Sequence, residues 1–505
     1  MLRPFTAGAA SPVHGGPALP PSGSKPNAAV PLHPGLQHGA AVDPNRRVRV
    51  IVQRYEGQSA RAIAGHIGEP VRREFSIIRA HAMTARQGDL LKLAAHPGVQ
   101  YISPDSRAHL LSHGDDLAAN LKTRYPVEAD ATGVWSGSKG DKANKNGDTG
   151  EGVAVAVIDT GFANHPDLKY KTLYDATGSG NTGDGYGHGT HVAGIIAGNN
   201  AKTGYVGIAP DADLIGIKVA DANGAVSASS IIAAADWLYA NGAAQKIRVL
   251  NISASLSAPE SYHTSPLAAA LEVLWNAGIT VVTAAGNLGN VNNAMWYGPG
   301  NDPYVITVGA LDDTNIVGSV LSTAGVLAGE VLAPFSSYGM TQDGFAKPDI
   351  EAPGRRIVST LAPGSVLAQR YAARITDTNY LRLSGTSTST PIVAGAAALL
   401  LSRYPNLTPN QVKAILTGSA AGIAGLLGGA KALDIAAALA LAGTGNYGSA
   451  NAGLTPSVGL GNATTIGSWD EGAWDEGAWD EGAWDEGAWD EGAWDEGAWD
   501  EGAWD

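Results

Sequence analysis

The chain has 505 residues, 44% of them hydrophobic and none of them Cys, so it can hold two or three domains and has neither disulfides nor thiol chemistry. Its net charge of −14 comes from a C-terminal repeat: of 47 Asp and Glu, fifteen lie from Trp469 onward, and the remaining 32 face 33 Lys and Arg. This balance gives no support to nucleic-acid binding, and no apolar run is long enough to predict a membrane span.

The first 46 residues are rich in Pro, Gly, Ala and His and show no periodic pattern. A segment of this composition buries too little apolar surface to fold by itself, so residues 1–46 are predicted to be disordered. The segment has no basic start followed by an apolar stretch, so it does not predict a signal peptide.

Residues 47–112 predict a small α+β unit. Apolar runs alternate with short helical patterns in the order β-α-β-β-α-β, which is the ferredoxin-like, split βαβ arrangement. The second helical pattern is expected to bury four side chains, those of Leu90, Leu91, Leu93 and Ala94.

Residues 113–150 are polar and predict a linker together with the N-terminal segment of the mature next domain. From 151 to 443, near-continuous Val- and Ile-rich runs alternate with Ala-rich helical patterns that end near Gly or Asn. Such runs are typical of strands covered on both faces. This domain is therefore predicted to be α/β, with a doubly wound, mostly parallel sheet flanked by helices and ligands at the carboxyl ends of its strands.

Residues 444–468 predict a linker, and residues 469–505 repeat WDEGA seven times before a final Trp504-Asp505. A five-residue period matches neither 3.6 nor 2, so the indoles do not line one face of a helix or strand. The acidic repeat is predicted to be a disordered tail. Whether its exposed Trp residues bind a wall, a glycan or another partner stays open.

Three distant segments each carry one reactive side chain: VAVAVIDTG with Asp159, GHGTHVAG with His188 and LSGTSTSTP with Ser387. A Ser hydroxyl becomes a nucleophile when an imidazole takes its proton and a carboxylate holds the tautomer of that imidazole. The order Asp, His, Ser is one of three chain orders in which this triad recurs. Each residue also has a simpler reading, because Asp after a strand and Ser before a helix are both common helix caps.

A metal pair is the alternative for the second segment, since His188 and His191 have helical i, i+3 spacing. The segment lacks the Glu of an HExxH motif, and the chain has no Cys to complete a site. Metal binding is therefore the less favoured interpretation.

An oxyanion site is predicted around Ser387. Ser387 is expected just before an apolar helix with Pro391 in its first turns, and a helix N-terminus offers backbone N–H groups and a positive dipole to an anion. Asn287 ends the strand pattern ITVVTAAGN, where its amide can donate to a developing oxyanion. An ordinary turn residue is the alternative for Asn287.

Together these segments resemble subtilisin-like serine peptidases across the 151–443 domain. The similar motifs are DTG with HPDL, GHGTHVAG, GIAPDADLIGIKV, AAGN, KPDIEAPG and GTSTSTPIVAGAAALL. The resemblance implies that Asp159, His188 and Ser387 form the triad and that Asn287 is the oxyanion donor. It also implies a strand that binds extended substrate, formed by Ser253, Ala254 and Ser255. The wall of the primary specificity pocket would be formed by Ala284, Ala285 and Gly286.

The chain departs from the family pattern in three places. Thr388 follows the nucleophile where Met is frequent, which removes an oxidation-prone thioether. Ser253-Ala254-Ser255 replaces the usual Ser-Leu-Gly, which is expected to narrow the pocket entrance. The segment from Thr360 to Leu383 is longer than in compact members.

The resemblance also concerns processing and ions. Residues 47–112 resemble the pro-domain that such peptidases carry, a folding chaperone and an inhibitor until it is cleaved off. No cofactor is implied for catalysis. Many relatives bind structural calcium, and here Asp167, Asn199 and Asn200 could supply its oxygen ligands.

The sequence thus predicts a secreted serine endopeptidase, made as a self-processing zymogen, that acts on protein or peptide substrates and has its own pro-domain as intramolecular inhibitor. Neither nucleic acid nor a membrane span is expected. Two alternatives remain: a non-catalytic binding protein on the same fold, and a narrowly specific maturation protein.

Overall fold

The computed structural model describes residues 30–110, 125–135, 148–313, 326–327, 330–423 and 431–457, without residues 201, 203 and 222. The predictions for residues 1–29 and for the WDEGA tail lie outside the described residues. Within the described part, no helix has the length and apolar character needed to cross a membrane.

The N-terminal unit consists of three helices around one sheet. Its elements are α1 (Pro34–Val42), β1 (Arg47–Arg54), α2 (Ala60–Gly65), β2 (Val71–Phe75), β3 (Ala80–Arg86), α3 (Leu90–Ala94) and β4 (Val99–Pro104). The strand order β2-β3-β1-β4 is the one that a β-α-β-β-α-β chain forms when each helix crosses one face of the sheet, as predicted.

Two expectations for this unit are wrong. Residues 34–42 form α1 instead of a disordered segment, because Leu36 and Ala40 are buried in the apolar cluster of the unit. The backbone before α1 bonds to β4, where His33 N donates to Ile102 O at 2.9 Å. Leu91 is 44% exposed, because α3 turns only one side toward that cluster.

The elements after this unit begin with β5 (Arg107–Leu110), α4 (Tyr125–Glu128) and α5 (Ala131–Trp135), two short helices where only a linker was expected. The large domain starts with β6 (Ala154–Asp159), β7 (Tyr170–Asp175), α6 (His188–Ala197), β8 (Asn199–Asn200), β9 (Tyr205–Val206), β10 (Asp213–Lys218), β11 (Val226–Ser227), α7 (Ala228–Gln245), β12 (Ile247–Ile252), β13 (Ala254–Leu256), α8 (Pro266–Asn276), β14 (Thr280–Ala284) and β15 (Ile306–Asp313). It continues with β16 (Val326–Leu327), β17 (Glu330–Leu332), β18 (Gly339–Met340), β19 (Ala346–Lys347), β20 (Ile350–Pro353), β21 (Ile357–Thr360), α9 (Val366–Arg370), β22 (Ile375–Thr376), β23 (Tyr380–Leu383), α10 (Thr386–Arg403), α11 (Pro409–Ser419), β24 (Ala421–Ile423), β25 (Lys431–Ala432) and α12 (Ile435–Thr444).

A parallel sheet forms the centre of this domain. In the described part, β20-β15-β14-β12-β6-β10-β7 are neighbours in that order and every one of these pairs is parallel. Every residue of β6 and β14 is buried, which agrees with their Val- and Ile-rich sequences. The predicted α/β, doubly wound, mostly parallel architecture is confirmed.

Two buried helices bring the site together. All residues of α6 are buried, and α6 packs against α10, whose residues from Thr386 to Leu401 are also buried. Small residues allow this packing: a Cβ at Gly194 would lie 2.2 Å from Thr360 Oγ1. The first turns of α6 and α10 consequently lie at the same edge of the sheet as the carboxyl end of β6.

The chain after α12 lies against the domain instead of leaving it as a linker. The hydroxyl of Tyr262 donates to Thr455 O at 2.9 Å, and the hydroxyl of Tyr304 donates to Leu454 O at 3.0 Å. Ser457 N donates to the buried Glu272 carboxylate at 2.9 Å. The described part of the 444–468 segment is therefore an extension of the large domain.

Candidate active site

Asp159 and His188 form a buried pair at the carboxyl end of the central strand. Asp159 is the last residue of β6, and its Oδ1 lies 2.7 Å from His188 Nδ1. The side chains of His188 and Asp159 are 1% and 0% exposed. In the part of the chain that the structure describes, His188 Nε2 has no hydrogen-bond partner. The imidazole is thus held from one side, and its other nitrogen remains available for a proton.

Glycines around His188 allow this close approach. Gly187 precedes α6 with a φ of +106°, a backbone conformation that favours glycine. A Cβ at Gly189 would lie 2.3 Å from Gly161 O and 3.0 Å from Asp159 Cβ. Any larger residue at position 189 would push β6 and α6 apart.

A second carboxylate, which sequence reasoning missed, supports the loop before His188. Asp184 is buried and accepts hydrogen bonds from Gly187 N at 2.7 Å, Thr190 N at 2.8 Å and Thr160 Oγ1 at 2.7 Å. Burial raises its pKa, although these bonds favour the ionised form. Its place between Asp159 and His188 in the motif TGDGYGHGT is the only sequence signal for it.

His191 is buried, and its ring contacts a backbone carbonyl. Its Nε2 lies 2.9 Å from Leu381 O, and burial lowers its pKa to about 3. Among the described residues, no group of three or more His, Cys, Asp or Glu side chains could hold a metal ion. The described residues therefore give no support to the alternative of a His188–His191 metal pair.

Ser387 is the second residue of α10, where it lies inside the first turn and not before the helix as predicted. Gly385 precedes the helix, and Ser387 is fully buried. Its carbonyl oxygen accepts a hydrogen bond from Ser253 Oγ at 3.0 Å, and Asn251 Nδ2 in turn donates to Ser253 Oγ at 3.0 Å. The hydroxyl of Ser253 therefore supports the start of α10.

Asn287 lies beside the same helix start. Its Oδ1 accepts hydrogen bonds from the backbone N–H and the hydroxyl of Thr386, each at 3.0 Å. Thr386 Oγ1 also accepts from Gly286 N at 3.2 Å. Because the carboxamide oxygen faces Thr386, the amide NH₂ of Asn287 is turned to the opposite side. Sequence reasoning did not single out Thr386.

The strand that follows the N-terminal unit pairs with two strands of the large domain beside this site. β5 lies between β11 and β13 in an antiparallel, three-stranded sheet. Leu110 pairs with Ala254 and His109 with Ser255, the segment predicted to bind extended substrate. The predicted pocket wall begins at Ala284, the last residue of β14, and continues through Ala285 and Gly286, which directly follow the strand. All three residues are buried.

The two other departures have structural explanations. Thr388 Oγ1 lies within donor distance of two carbonyl oxygens, Gly385 O at 2.8 Å just before α10 and Gly354 O at 3.0 Å, so this side chain is a buried hydrogen-bonding residue. In the long 360–383 segment, Val366 N donates to Gly185 O at 3.0 Å and Leu367 N donates to Tyr186 O at 2.9 Å. This segment therefore supports the loop that leads to His188.

The residues predicted to bind calcium do not fit a cation. Asp167 Oδ1 accepts from Asn200 Nδ2 at 3.0 Å, and its Oδ2 accepts from the Tyr380 hydroxyl. Asn199 directs its amide nitrogen to Pro210 O at 3.1 Å. Hydrogen-bond donors thus contact the Asp167 carboxylate at the places where a bound cation would need further oxygen ligands. The prediction that Asp167, Asn199 and Asn200 bind calcium therefore gains no support from this geometry.

Comparison with known proteins gives consistent matches. Residues 150–461 match the profile of the Subtilase family. The chain is 37% identical over 327 residues to serine protease AprX of Bacillus subtilis (strain 168), covering 62% of this chain and 72% of AprX. It is 36% identical over 286 residues to subtilisin DY of Bacillus licheniformis, covering 56% of this chain and 88% of that protein.

Among solved structures, the fold is similar to that of fervidolysin from Fervidobacterium pennivorans, a keratinolytic enzyme related to subtilisin. The TM-score is 0.58 at 24% sequence identity, and the match covers 78% of this chain. The chain spans 61% of the length of the fervidolysin chain.

Proposed function

Because the chain belongs to the subtilase family and is a serine endopeptidase, we propose that Asp159, His188 and Ser387 are its catalytic triad. The observation that carries this proposal is the buried contact of 2.7 Å between His188 Nδ1 and Asp159 Oδ1. It holds the imidazole with Nε2 directed away from the carboxylate, as a general base requires. Ser387 lies in the first turn of α10, and α10 packs against α6, the helix that His188 begins.

In this mechanism Ser387 Oγ attacks the carbonyl carbon of the scissile peptide bond while His188 Nε2 takes the hydroxyl proton. The tetrahedral intermediate collapses, the C–N bond breaks, and His188 returns the proton to the leaving amine. A water molecule then attacks the carbonyl carbon of the acyl-enzyme while His188 Nε2 takes its proton. The ester bond to Ser387 breaks, His188 returns the proton to Ser387 Oγ, and the carboxylic acid product leaves. Asp159 stays ionised and stabilises the imidazolium that forms at each step.

Asn287 and the backbone N–H of Ser387 are proposed as the oxyanion donors. The fixed carboxamide of Asn287 supports this role, because a donor that is oriented before the reaction needs no reorganisation when charge develops. The N-terminus of α10 adds a favourable dipole. No metal or other cofactor takes part in these steps.

Residues 47–112 are proposed to act as the pro-domain, a chaperone and intramolecular inhibitor that the enzyme removes from itself. The support is β5, which occupies the strand position between β11 and β13 that extended substrate would fill. Residues Ser253 to Ser255 would bind the substrate backbone, and Ala284 to Gly286 would line the primary specificity pocket. We further propose that the enzyme is secreted, as the family resemblance implies.

The test compares the full chain with its Ser387→Ala variant. We expect the variant to lose about 10⁶-fold in turnover, the magnitude known for subtilisin itself. Mass spectrometry of the N-termini should show self-cleavage between residues 108 and 125 in the wild type only. A fluorophosphonate should label Ser387.

Two outcomes would contradict the proposal. Near-normal peptide hydrolysis by the Ser387→Ala variant would exclude Ser387 as nucleophile. Absence of both labelling and hydrolysis in the wild type would favour a non-catalytic binding protein. A narrowly specific maturation enzyme would label with the fluorophosphonate and yet cleave few sequences in a substrate profile.

A further inference from the structure

Four arginines surround Thr84 at one end of the N-terminal sheet. Arg47 of β1 is directly opposite Arg86 of β3, and Arg49 is opposite Thr84, so these side chains project from the same face. Arg72 of β2 donates from Nη1 to Thr84 Oγ1 at 3.2 Å. Together Arg47, Arg49, Arg72 and Arg86 form an arginine patch.

The arginine patch carries more positive charge than the carboxylates beside it balance. Two of its members form ion pairs, Arg47 with Glu69 at 2.8 Å and Arg49 with Asp105. The other two members lie within ion-pair distance of no carboxylate among the described residues. All four are exposed, and the side chains of Arg47 and Arg49 keep 50% and 47% of their surface in solvent.

The patch lies on the face of the sheet that is turned to the large domain. Ile51, which shares this face, belongs to the main apolar core, whereas Val50 and Val52 belong to the cluster under α2 and α3. Arg49 also donates from Nη2 to Ser229 Oγ of α7 at 3.3 Å. The patch therefore begins where the contact between the N-terminal unit and the large domain ends.

The distribution of charge along the chain indicates what the patch binds. Residues 46–110 contain eleven Lys and Arg against five Asp and Glu, and the rest of the chain before the WDEGA repeats contains 22 against 27. The repeat tail, residues 469–505, contains fifteen Asp and Glu and neither Lys nor Arg. The net positive charge of the N-terminal unit attracts this tail, and the net charge of the remaining chain does not.

The chemistry of the repeat suits arginine in particular. Each WDEGA unit offers one indole and two carboxylates. A guanidinium binds a carboxylate through two parallel N–H···O bonds and also stacks on an indole face. Two repeats supply four carboxylates, one for each arginine of the patch, and the further repeats raise the effective concentration of binding groups.

The tail is long enough to reach the patch. Ser457 is held at Glu272 of α8, and the segment from there back to Thr264 spans about 12 Å. Gln53 Nε2 donates to Thr264 O at 2.6 Å, and Arg47 lies about 20 Å further along β1. Eleven residues separate Ser457 from the first repeat and can span about 36–40 Å. With one repeat added, the chain exceeds this path.

We infer that the arginine patch is a docking site for the WDEGA tail of the same chain, in which the guanidinium groups bind the Asp and Glu carboxylates and stack on the indoles. The contact joins the C-terminal end of the chain to the N-terminal unit outside the substrate cleft. It goes beyond the proposed function and does not depend on it, because no catalytic group takes part.

The test uses the full-length Ser387→Ala chain, in which self-cleavage cannot separate the two ends. Arg72→Lys and Arg86→Lys place amines in the patch without changing its charge. A carbodiimide then joins these amines to any carboxylate in contact with them, and mass spectrometry identifies the linked peptides. We expect amide links from positions 72 and 86 to the repeats within single, monomeric chains.

The matched control is the Ser387→Ala chain with Arg61→Lys. Position 61 and the natural Lys92 are exposed on α2 and α3, which cover the other face of the sheet. The yield of links to the tail from positions 72 and 86 should exceed that from positions 61 and 92 by about 10-fold. Because salt screens exposed charges, about 0.5 M NaCl should lower the yield in the patch about 5-fold.

Four outcomes would overturn the inference. Equal yields from the patch and from the control positions would show unspecific attraction, and yields that do not respond to salt would show that charge does not hold the tail. Links found only between two chains would make a second copy the partner. Loss of the links on addition of an equimolar short DNA duplex would make the patch a nucleic-acid site. Since the chain tested carries Ser387→Ala, failure of the proposed peptidase activity leaves each of these results interpretable.

Discussion

Thr386 orients Asn287 through two hydrogen bonds, from its backbone N–H and from its hydroxyl, each 3.0 Å from Asn287 Oδ1. Thr386 is the first residue of α10 and the direct neighbour of Ser387, so one helix start positions both the proposed nucleophile and the proposed oxyanion donor. The two residues are 99 positions apart in the chain. Small displacements of α10 would therefore alter both groups together.

Replacing Thr386 by Val should lower kcat about 10-fold with little change in KM, because the carboxamide of Asn287 keeps only one of its two donors. Thr386→Ser retains the hydroxyl and should restore most of the activity. Steady-state kinetics with a small peptide substrate measures both values. If the Val variant raises KM at unchanged kcat, Thr386 acts on substrate binding and not on the oxyanion.

Asp159→Asn should lower kcat by about 10⁴-fold without unfolding the protein, since an amide of the same shape cannot hold the imidazole in the required tautomer. Thermal unfolding of the variant, measured in the Ser387→Ala background, serves as the control for structure. A kcat within about 10-fold of the wild-type value would show that Asp159 only caps the following turn.

Asp105 links the proposed pro-domain to the large domain. Its Oδ1 accepts from Ser229 N at 2.9 Å and its Oδ2 from Ser229 Oγ at 2.8 Å, in the first turn of α7. Loss of such a helix cap costs about 1 kcal/mol, so Asp105→Ala should weaken pro-domain binding and shorten the lag before activity appears about 5-fold. Time courses of activation measure the lag.

The matched control for this change is Glu69→Gln. Glu69 pairs with Arg47 within the N-terminal unit at 2.8 Å, and the Arg47 side chain is 50% exposed. An exposed pair of this kind contributes little, so the lag should remain as in the wild type. Equal lags in the Asp105 and Glu69 variants would show that the contact with α7 does not hold the pro-domain.

His81 should make the folded N-terminal unit sensitive to acid. It is buried in β3, neither of its ring nitrogens has a hydrogen-bond partner among the described residues, and burial lowers its pKa to about 4. Between pH 6.5 and about 4 the unfolded chain therefore binds a proton that the folded chain does not. Stability is lost as the pH falls through this window, by about 1.4 kcal/mol per pH unit.

The measurement is the urea midpoint of the Ser387→Ala chain from pH 7 to about 4.5, with and without His81→Leu. The Leu variant should lose less stability on acidification than its parent. His66→Leu, at an exposed position in the same unit, is the control and should behave as the parent does. Parallel curves for the His81 variant and its parent would show that another group carries the pH dependence.

Patterns within single segments were sufficient to predict the parts of the site that follow from local structure. Asp159 ends a strand because the apolar run from Val153 to Ile158 precedes a turn at Gly161, and His188 begins a helix because the left-handed backbone of Gly187 ends the loop before it. The same local reasoning failed for residues 34–42. Their composition suggests disorder, but the helix there is stabilised by burying Leu36 and Ala40 against other elements.

Only the tertiary structure decided how these segments meet. The pairing of β5 with β11 and β13, the contact of Thr386 with Asn287 and the occupation of the Asp167 carboxylate by Tyr380 each join residues that are far apart in the chain. The sequence by itself determined which reactive residues exist and on which elements they lie, because propensity and periodicity are local. Which donor faces which acceptor depends on packing among distant elements, and no local pattern records that geometry.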